Sequence, residues 1–163
     1  MFQRLRKSPP VCFVISLLRF LSGTLKYSKE YVGDRVRMKN GEEFEIFRHV
    51  TVNQHSSETA GALFIIRFKF ARLTYKVNEF ISQFPMLLIT GFPGFRKKMY
   101  AVNYANGYWQ GIYQWESIEA LEAYRKSFVL ALMNKRALKN SVTFDIIDKQ
   151  DLKTFIKINE VLL

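Results

Sequence analysis

The stretch FRKKMYAVNYANGYWQGIYQWE, Phe95 to Glu116, limits the fold more than any other part of the chain. Two segments rich in aromatic and aliphatic residues flank Asn106-Gly107, a dipeptide that supplies the positive-φ positions of a tight hairpin turn. A two-residue turn there pairs Tyr104 with Trp109, Val102 with Gly111, Tyr100 with Tyr113 and Lys98 with Trp115. One hairpin face then collects Tyr100, Tyr104, Trp109, Tyr113 and Trp115, and the other holds Met99, Ala101, Asn103, Gln110, Ile112 and Gln114. Both faces are too apolar to leave wet, so the hairpin belongs in a sheet covered on each side.

The elements around it follow from periodicity. ALFIIRFKFA, from Ala62, reads as a strand with Arg67 and Lys69 on one side. Thr74 to Phe84 carries Val77, Phe80, Ile81 and Phe84 at spacings of three and four, which predicts a helix, and Pro85 is expected to kink or end it. PMLLITGFPGF is apolar but broken by prolines and glycines, and reads as a buried connection or pocket edge. Ser117 caps a helix that runs to Leu138, with Ile118, Leu121, Tyr124 and Phe128 on one face. SVTFDIID is the last strand of the set. The order is βαββαβ, which predicts an α+β, ferredoxin-like antiparallel sheet with helices on one face and a second face that needs a partner.

The expected organisation is an N-terminal helix and β-hairpin in residues 1–60, the ferredoxin-like domain in 61–148 and a C-terminal extension in 149–163. Residues 53–61 form a polar linker. RVRMKNGEEFEIF predicts a hairpin with a three-residue Lys39-Asn40-Gly41 loop, because only that loop sets Val36 against Phe44, Arg37 against Glu43 and Arg35 against Glu45. The tail fits a helix through Leu152, Phe155 and Ile156, and TFIKINEV also fits a strand.

The chain is basic, with formal net charge +11, which attracts phosphates, anionic lipids or acidic partners. The longest basic run, Arg96-Lys97-Lys98, reads as a solvated strand end. Cys12 is the only cysteine. It excludes an intramolecular disulfide and a Cys-based metal site, and fits a reducing, cytoplasmic compartment. His49 and His55 are too far apart along an extended strand to chelate one ion, so no metal site is expected. The first 29 residues hold six basic residues and no acid, but the apolar run Val11–Leu18 is too short for a membrane span and lacks the cleavage site of a signal peptide. A helix after Pro9-Pro10 is expected, either packing Phe13, Leu17, Phe20 and Leu21 on the domain or resting residues 1–23 on a membrane surface.

The same βαββαβ order occurs in RNA-recognition domains, whose third strand follows K/R-G-F/Y-G/A-F-V-x-F/Y. Here Asn106, Trp109, Gln110 and Gly111 stand at positions that need a base, a small residue, an aromatic and an aliphatic. Nucleic-acid binding is therefore disfavoured. Gly111 lacks the side chain that would fill the space among the rings, and opens room for core packing, a partner or a planar ligand.

GALFIIRFKFA, FPGFRKKMY and GYWQGIYQWESIEALEAYRKSFV resemble the mono-oxygenase branch of the dimeric α/β-barrel superfamily. The resemblance implies a homodimer through the open sheet face and a small pocket in each monomer. It points to a mono-oxygenase acting on a small aromatic or apolar substrate, with a non-catalytic ligand-binding or interaction protein, held at a membrane surface, as the alternative. Pocket candidates are Tyr100, Trp109, Gly111, Tyr113 and Trp115 as walls, Asn103 as orienter and Arg67 as anion partner. Haem is disfavoured, because haem-degrading relatives place a histidine on the helix matching Ser117–Leu138, which has none. No cofactor is predicted. A base for phenol chemistry is missing from this reading, and the catalytic residues are unknown.

Overall fold

A computed structural model describes residues 8–52, 61–72 and 74–161. Seven strands, β1 (Leu25–Ser28), β2 (Arg35–Arg37), β3 (Glu43–Val52), β4 (Gly61–Phe68), β5 (Phe95–Asn103), β6 (Tyr108–Trp115) and β7 (Thr143–Gln150), form one antiparallel sheet. Its order is β1-β3-β5-β6-β4-β7, with β2 also paired to β3. The helices are α1 (Pro9–Leu21), α2 (Tyr75–Ile81), α3 (Gln83–Thr90), α4 (Ile118–Arg125), α5 (Phe128–Arg136) and α6 (Leu152–Asn159). Strands β4 to β7 and the helices between them are the expected βαββαβ unit, in which β6 lies between β5 and β4. The N-terminal strands are no separate appendage. β3 hydrogen-bonds along β5 and continues the same sheet.

Turn chemistry decided the two hairpins differently. Around Gly41 (φ 80°) the register is as expected, with Val36 opposite Phe44 and Arg37 opposite Glu43. Around Asn106-Gly107 it is not: Val102 faces Trp109, Tyr100 faces Gly111 and Lys98 faces Tyr113. The loop is longer because the Asn103 side-chain oxygen accepts from the Ala105 and Asn106 amides, at 3.0 and 3.2 Å. The slip is two residues, an even number, so every side chain keeps its predicted face.

Helix boundaries moved where one expected helix became two. Pro85 does not end a helix but occupies the first turn of α3, where its missing N–H costs no hydrogen bond. PMLLIT is accordingly helical, with the break displaced to Ser82. The predicted Ser117 helix likewise divides at Lys126-Ser127, and the Ser117 hydroxyl caps its first half through the Ala120 amide at 3.3 Å. The open choice for the tail resolves to a helix, capped by the Asp151 carboxylate at the Thr154 amide (2.9 Å).

The pleat separates two cores. On one face Phe64, Phe68, Tyr100, Trp109, Tyr113 and Trp115 pack under the helices that follow β4 and β6. On the other, Leu63, Ile65, Met99, Ala101 and Ile112 are buried with Phe44 and Ile46 of β3, Val36 of β2 and Leu152, Phe155 and Ile156 of α6. The second face is thus covered by the chain's own C-terminal helix, which β2 anchors through the Val161 amide to Arg35 carbonyl bond (2.9 Å). A second copy would have to displace α6 to reach the expected dimer face.

Of the two alternatives for helix α1, packing of its large apolar residues on the domain is not what the structure shows. Cys12 and Ser16 are buried, whereas Phe13, Leu17, Phe20 and Leu21 are exposed. The Ser16 hydroxyl bonds that of Thr90 at 2.6 Å, and the Arg19 guanidinium donates to the Thr90 carbonyl. Gly91 makes this approach achievable, since a Cβ there would lie 1.7 Å from the Cys12 carbonyl oxygen. Gly91→Ala should therefore cost about 1–3 kcal/mol. Thermal melting should show a drop of several degrees, and an unchanged melting temperature would count against this packing.

Candidate ligand pocket

The aromatic face of the sheet holds an apolar cavity of about 30 Å3 between β4–β6 and the helices α3 and α5. Phe68, Tyr100, Trp109, Gly111 and Tyr113 line it from the sheet side, and Pro85, Met133 and Arg136 from the helices. Four of the seven predicted residues, Tyr100, Trp109, Gly111 and Tyr113, are therefore brought together. Trp115 is on the same face but outside the lining. It is fully buried and stacked on Tyr124 with ring centroids 4.7 Å apart, a core role.

The other two fall elsewhere. Asn103 holds the β5–β6 turn. Arg67 points to the opposite sheet face, where it pairs with Glu42 at 2.6 Å and lies over the Tyr108 ring at 3.2 Å. Alternation explains both, since residues 99, 101 and 103 share the far face of β5, and 63, 65 and 67 that of β4. Among the arginines it is Arg136 that lines the pocket; its guanidinium donates to the Asn78 side-chain oxygen at 3.3 Å and lies 4.8 Å from the Phe70 ring.

Gly111 behaves differently from the expectation of free space. The Tyr113 ring folds back over it, so a Cβ at Gly111 would stand 2.6 Å from Tyr113 Cε2. The glycine makes room for the chain's own tyrosine, and the residual cavity lies beyond that ring.

Lys98 is the residue that sequence reasoning missed. Read as part of a solvated basic run, it is only 2% exposed, and it lines the cavity. Its Nζ sits 3.8 Å from the Tyr100 ring centroid and 4.3 Å from that of Tyr113. Among the described residues it forms no ion pair or hydrogen bond. The signal was present: Lys98 is two residues before Tyr100 on an alternating strand, so it shares the aromatic face. Burial, and after it the charge of Arg48, hold its amine well below the ordinary lysine range. Burial pushes the Tyr100 and Tyr113 phenols the opposite way, well above theirs. Lys98 is thus the group at this cavity suited to accept a proton. Two π faces offset only part of the desolvation of its protonated form.

His49, the one described histidine, is a buried strand residue 3.1 Å from the Glu30 carbonyl through Nδ1, and burial holds it below its usual value. His55 lies outside the described residues. Among the described residues no group of three or more histidine, cysteine or acidic side chains is placed to hold a metal ion.

The Lys98 environment makes a pH-dependent stability with a definite sign. The folded pKa is lowered, so between that value and the unfolded value of about 10.4 the unfolded chain binds more protons. Stability from this group therefore rises with pH through that window, and the penalty is fully present below it. Lys98→Met should raise stability at neutral pH by about 1 kcal/mol or more and flatten this slope. Denaturant titrations at several pH values read both effects, and an unchanged slope would show the amine to be hydrated.

No protein-family model and no curated protein sequence matches the chain. Solved structures do match in fold. A monooxygenase-like protein from Listeria innocua aligns at 12% identity and TM-score 0.50, over 71% of this chain and 68% of that one. An uncharacterised ferredoxin-fold protein related to antibiotic biosynthesis monooxygenases, from Listeria monocytogenes, aligns at 13% identity and TM-score 0.51, over 83% and 89%. A haem-degrading enzyme from Listeria monocytogenes aligns at 16% identity and TM-score 0.52, over 81% and 92%. The last removes support from the expectation against haem. The cavity is about a tenth of the smallest ordinary ligand pocket, and α4 and α5 carry no histidine. What the chain shares with these structures is the ferredoxin-like fold.

Proposed function

We propose that the chain binds a small aromatic molecule on the helix-covered face of its sheet and oxidises it with dioxygen, in the manner of a cofactor-independent mono-oxygenase. The observation that supports this most directly is the buried amine of Lys98 facing an apolar cavity. The chemistry needs a base held away from bulk water, and a lysine whose amine burial shifts toward the neutral form is a group of that kind. A phenol would lose its proton to Lys98, and the electron-rich phenolate would react with dioxygen at a ring carbon. Loss of water from the resulting hydroperoxide leaves a quinone, so that phenol plus dioxygen gives quinone plus water. Trp109 and Tyr100 are the flat walls available to the ring, and Arg136 is the cation available to a developing oxyanion. Admission of a ring requires Met133 and Arg136 to swing away from the sheet.

The size of the cavity favours a second reading, a non-catalytic binding or interaction protein on the same fold. The two readings separate in one set of measurements. Purified protein, Lys98→Met and Trp109→Ala are given a panel of phenols and hydroquinones, and oxygen consumption and tryptophan fluorescence are followed. The oxygenase reading expects uptake with at least one compound, rising with pH as Lys98 loses its proton and about 10²–10⁴-fold slower in Lys98→Met. Saturable fluorescence quenching without uptake would replace it with the binding reading, and neither signal would remove both for that panel.

A further inference from the structure

We propose that α1 is a membrane-surface element that rests on anionic phospholipid. Its orientation is unusual for a helix on a globular domain. The small and polar residues Cys12 and Ser16 face the protein, fixed by the Ser16–Thr90 and Arg19–Thr90 hydrogen bonds and by the close approach to Gly91. The large residues face outward: Phe13 is 46% exposed, Val14 52%, Leu17 46%, Leu18 59%, Phe20 55% and Leu21 72%. At 100° per residue these six positions occupy a continuous stripe of about 160°, wider than the apolar stripe of an ordinary surface helix. An exposed apolar patch of this kind marks a binding surface, because isolated apolar residues scatter but do not align.

The charge pattern selects the occupant. Residues 1–29 contain six lysines and arginines and no acidic residue. A second copy of the chain would bring the same excess of positive charge, whereas an anionic bilayer complements both the apolar stripe and the basic composition of this segment. No helix among the described residues is long and apolar enough to cross a membrane. The thirteen residues of α1 extend about 20 Å, and they suit a helix lying in the interface with its apolar side chains among the upper acyl chains. None of the six stripe residues lines the cavity, so this assignment goes beyond the oxygenase reading and does not depend on it.

The test uses the full chain and the double variant Leu17→Gln/Leu21→Gln. Both substituted residues are exposed, so the fold is retained, and this is checked by melting. Each protein is sedimented with vesicles of phosphatidylcholine alone and of phosphatidylcholine with 30% phosphatidylserine (about the anionic content needed for a strong surface potential), at low and high salt. The expected result is pelleting with the anionic vesicles, weakened by salt and reduced at least about tenfold in the variant. Equal pelleting of both proteins, or no pelleting of either, overturns the proposal. A mass that doubles with concentration in light scattering for the wild type only, without vesicle binding, overturns it in favour of a second copy of the chain on the stripe.

Discussion

The structure depends on a sheet whose two faces are both apolar. Strands β4, β5 and β6 send Phe64, Tyr100, Trp109 and Tyr113 one way and Leu63, Ile65, Met99 and Ile112 the other, and each set must leave water. One layer of helices can cover only one of them. The second cover comes from opposite ends of the chain, with β2 and β3 folded in from the N-terminal side and α6 from the C-terminal side, joined through Arg35 and Val161. The same constraint accounts for the seven strands, because β3 both protects the edge of β5 and carries Phe44 and Ile46 into the second core.

The pocket is a by-product of how the first face fills. Gly111 removes one side chain, the Tyr113 ring takes that space, and the gap left between Tyr100, Trp109 and α5 is mostly apolar, with Ser82, Gln110, Lys98 and Arg136 as its polar lining. A lysine in such a place lowers stability, and proteins keep groups of that kind where chemistry uses them. Its neighbours are consistent with that use. Burial raises the Tyr100 and Tyr113 phenols well above their ordinary range and lowers the Lys98 amine below its own. The likeness to monooxygenase-like structures rests on fold, and the chemical reading rests on this amine and its surroundings.

The face assignment of the aromatic hairpin was legible in the sequence even though its register was not. A period of two is insensitive to an even slip, so lengthening the Asn106-Gly107 loop moved every cross-strand partner and no side chain changed face. The Val36–Phe44 hairpin was legible in full, because both charge and apolar pairing selected one loop. Arg67 and Asn103 were legible as to face and misread as to purpose, since residue type alone grouped them with the rings. Lys98 was obscured by its neighbours: in a basic run the eye assigns one environment to all three residues, and the pleat assigns alternating ones.

The sequence by itself determined the βαββαβ order, the pleat faces and the cap at Ser117, since these depend on local periodicity and on hydrogen bonds a few residues long. Only the tertiary structure decided that α6 covers the second face, that α1 turns its small residues inward, and that Tyr113 occupies the space at Gly111. Each of these depends on which surfaces meet across tens of residues. Gly91 against Cys12 and Val36 against Glu160 are such meetings, and no local pattern encodes them. Long-range steric fit selects among the arrangements that local pattern leaves equal.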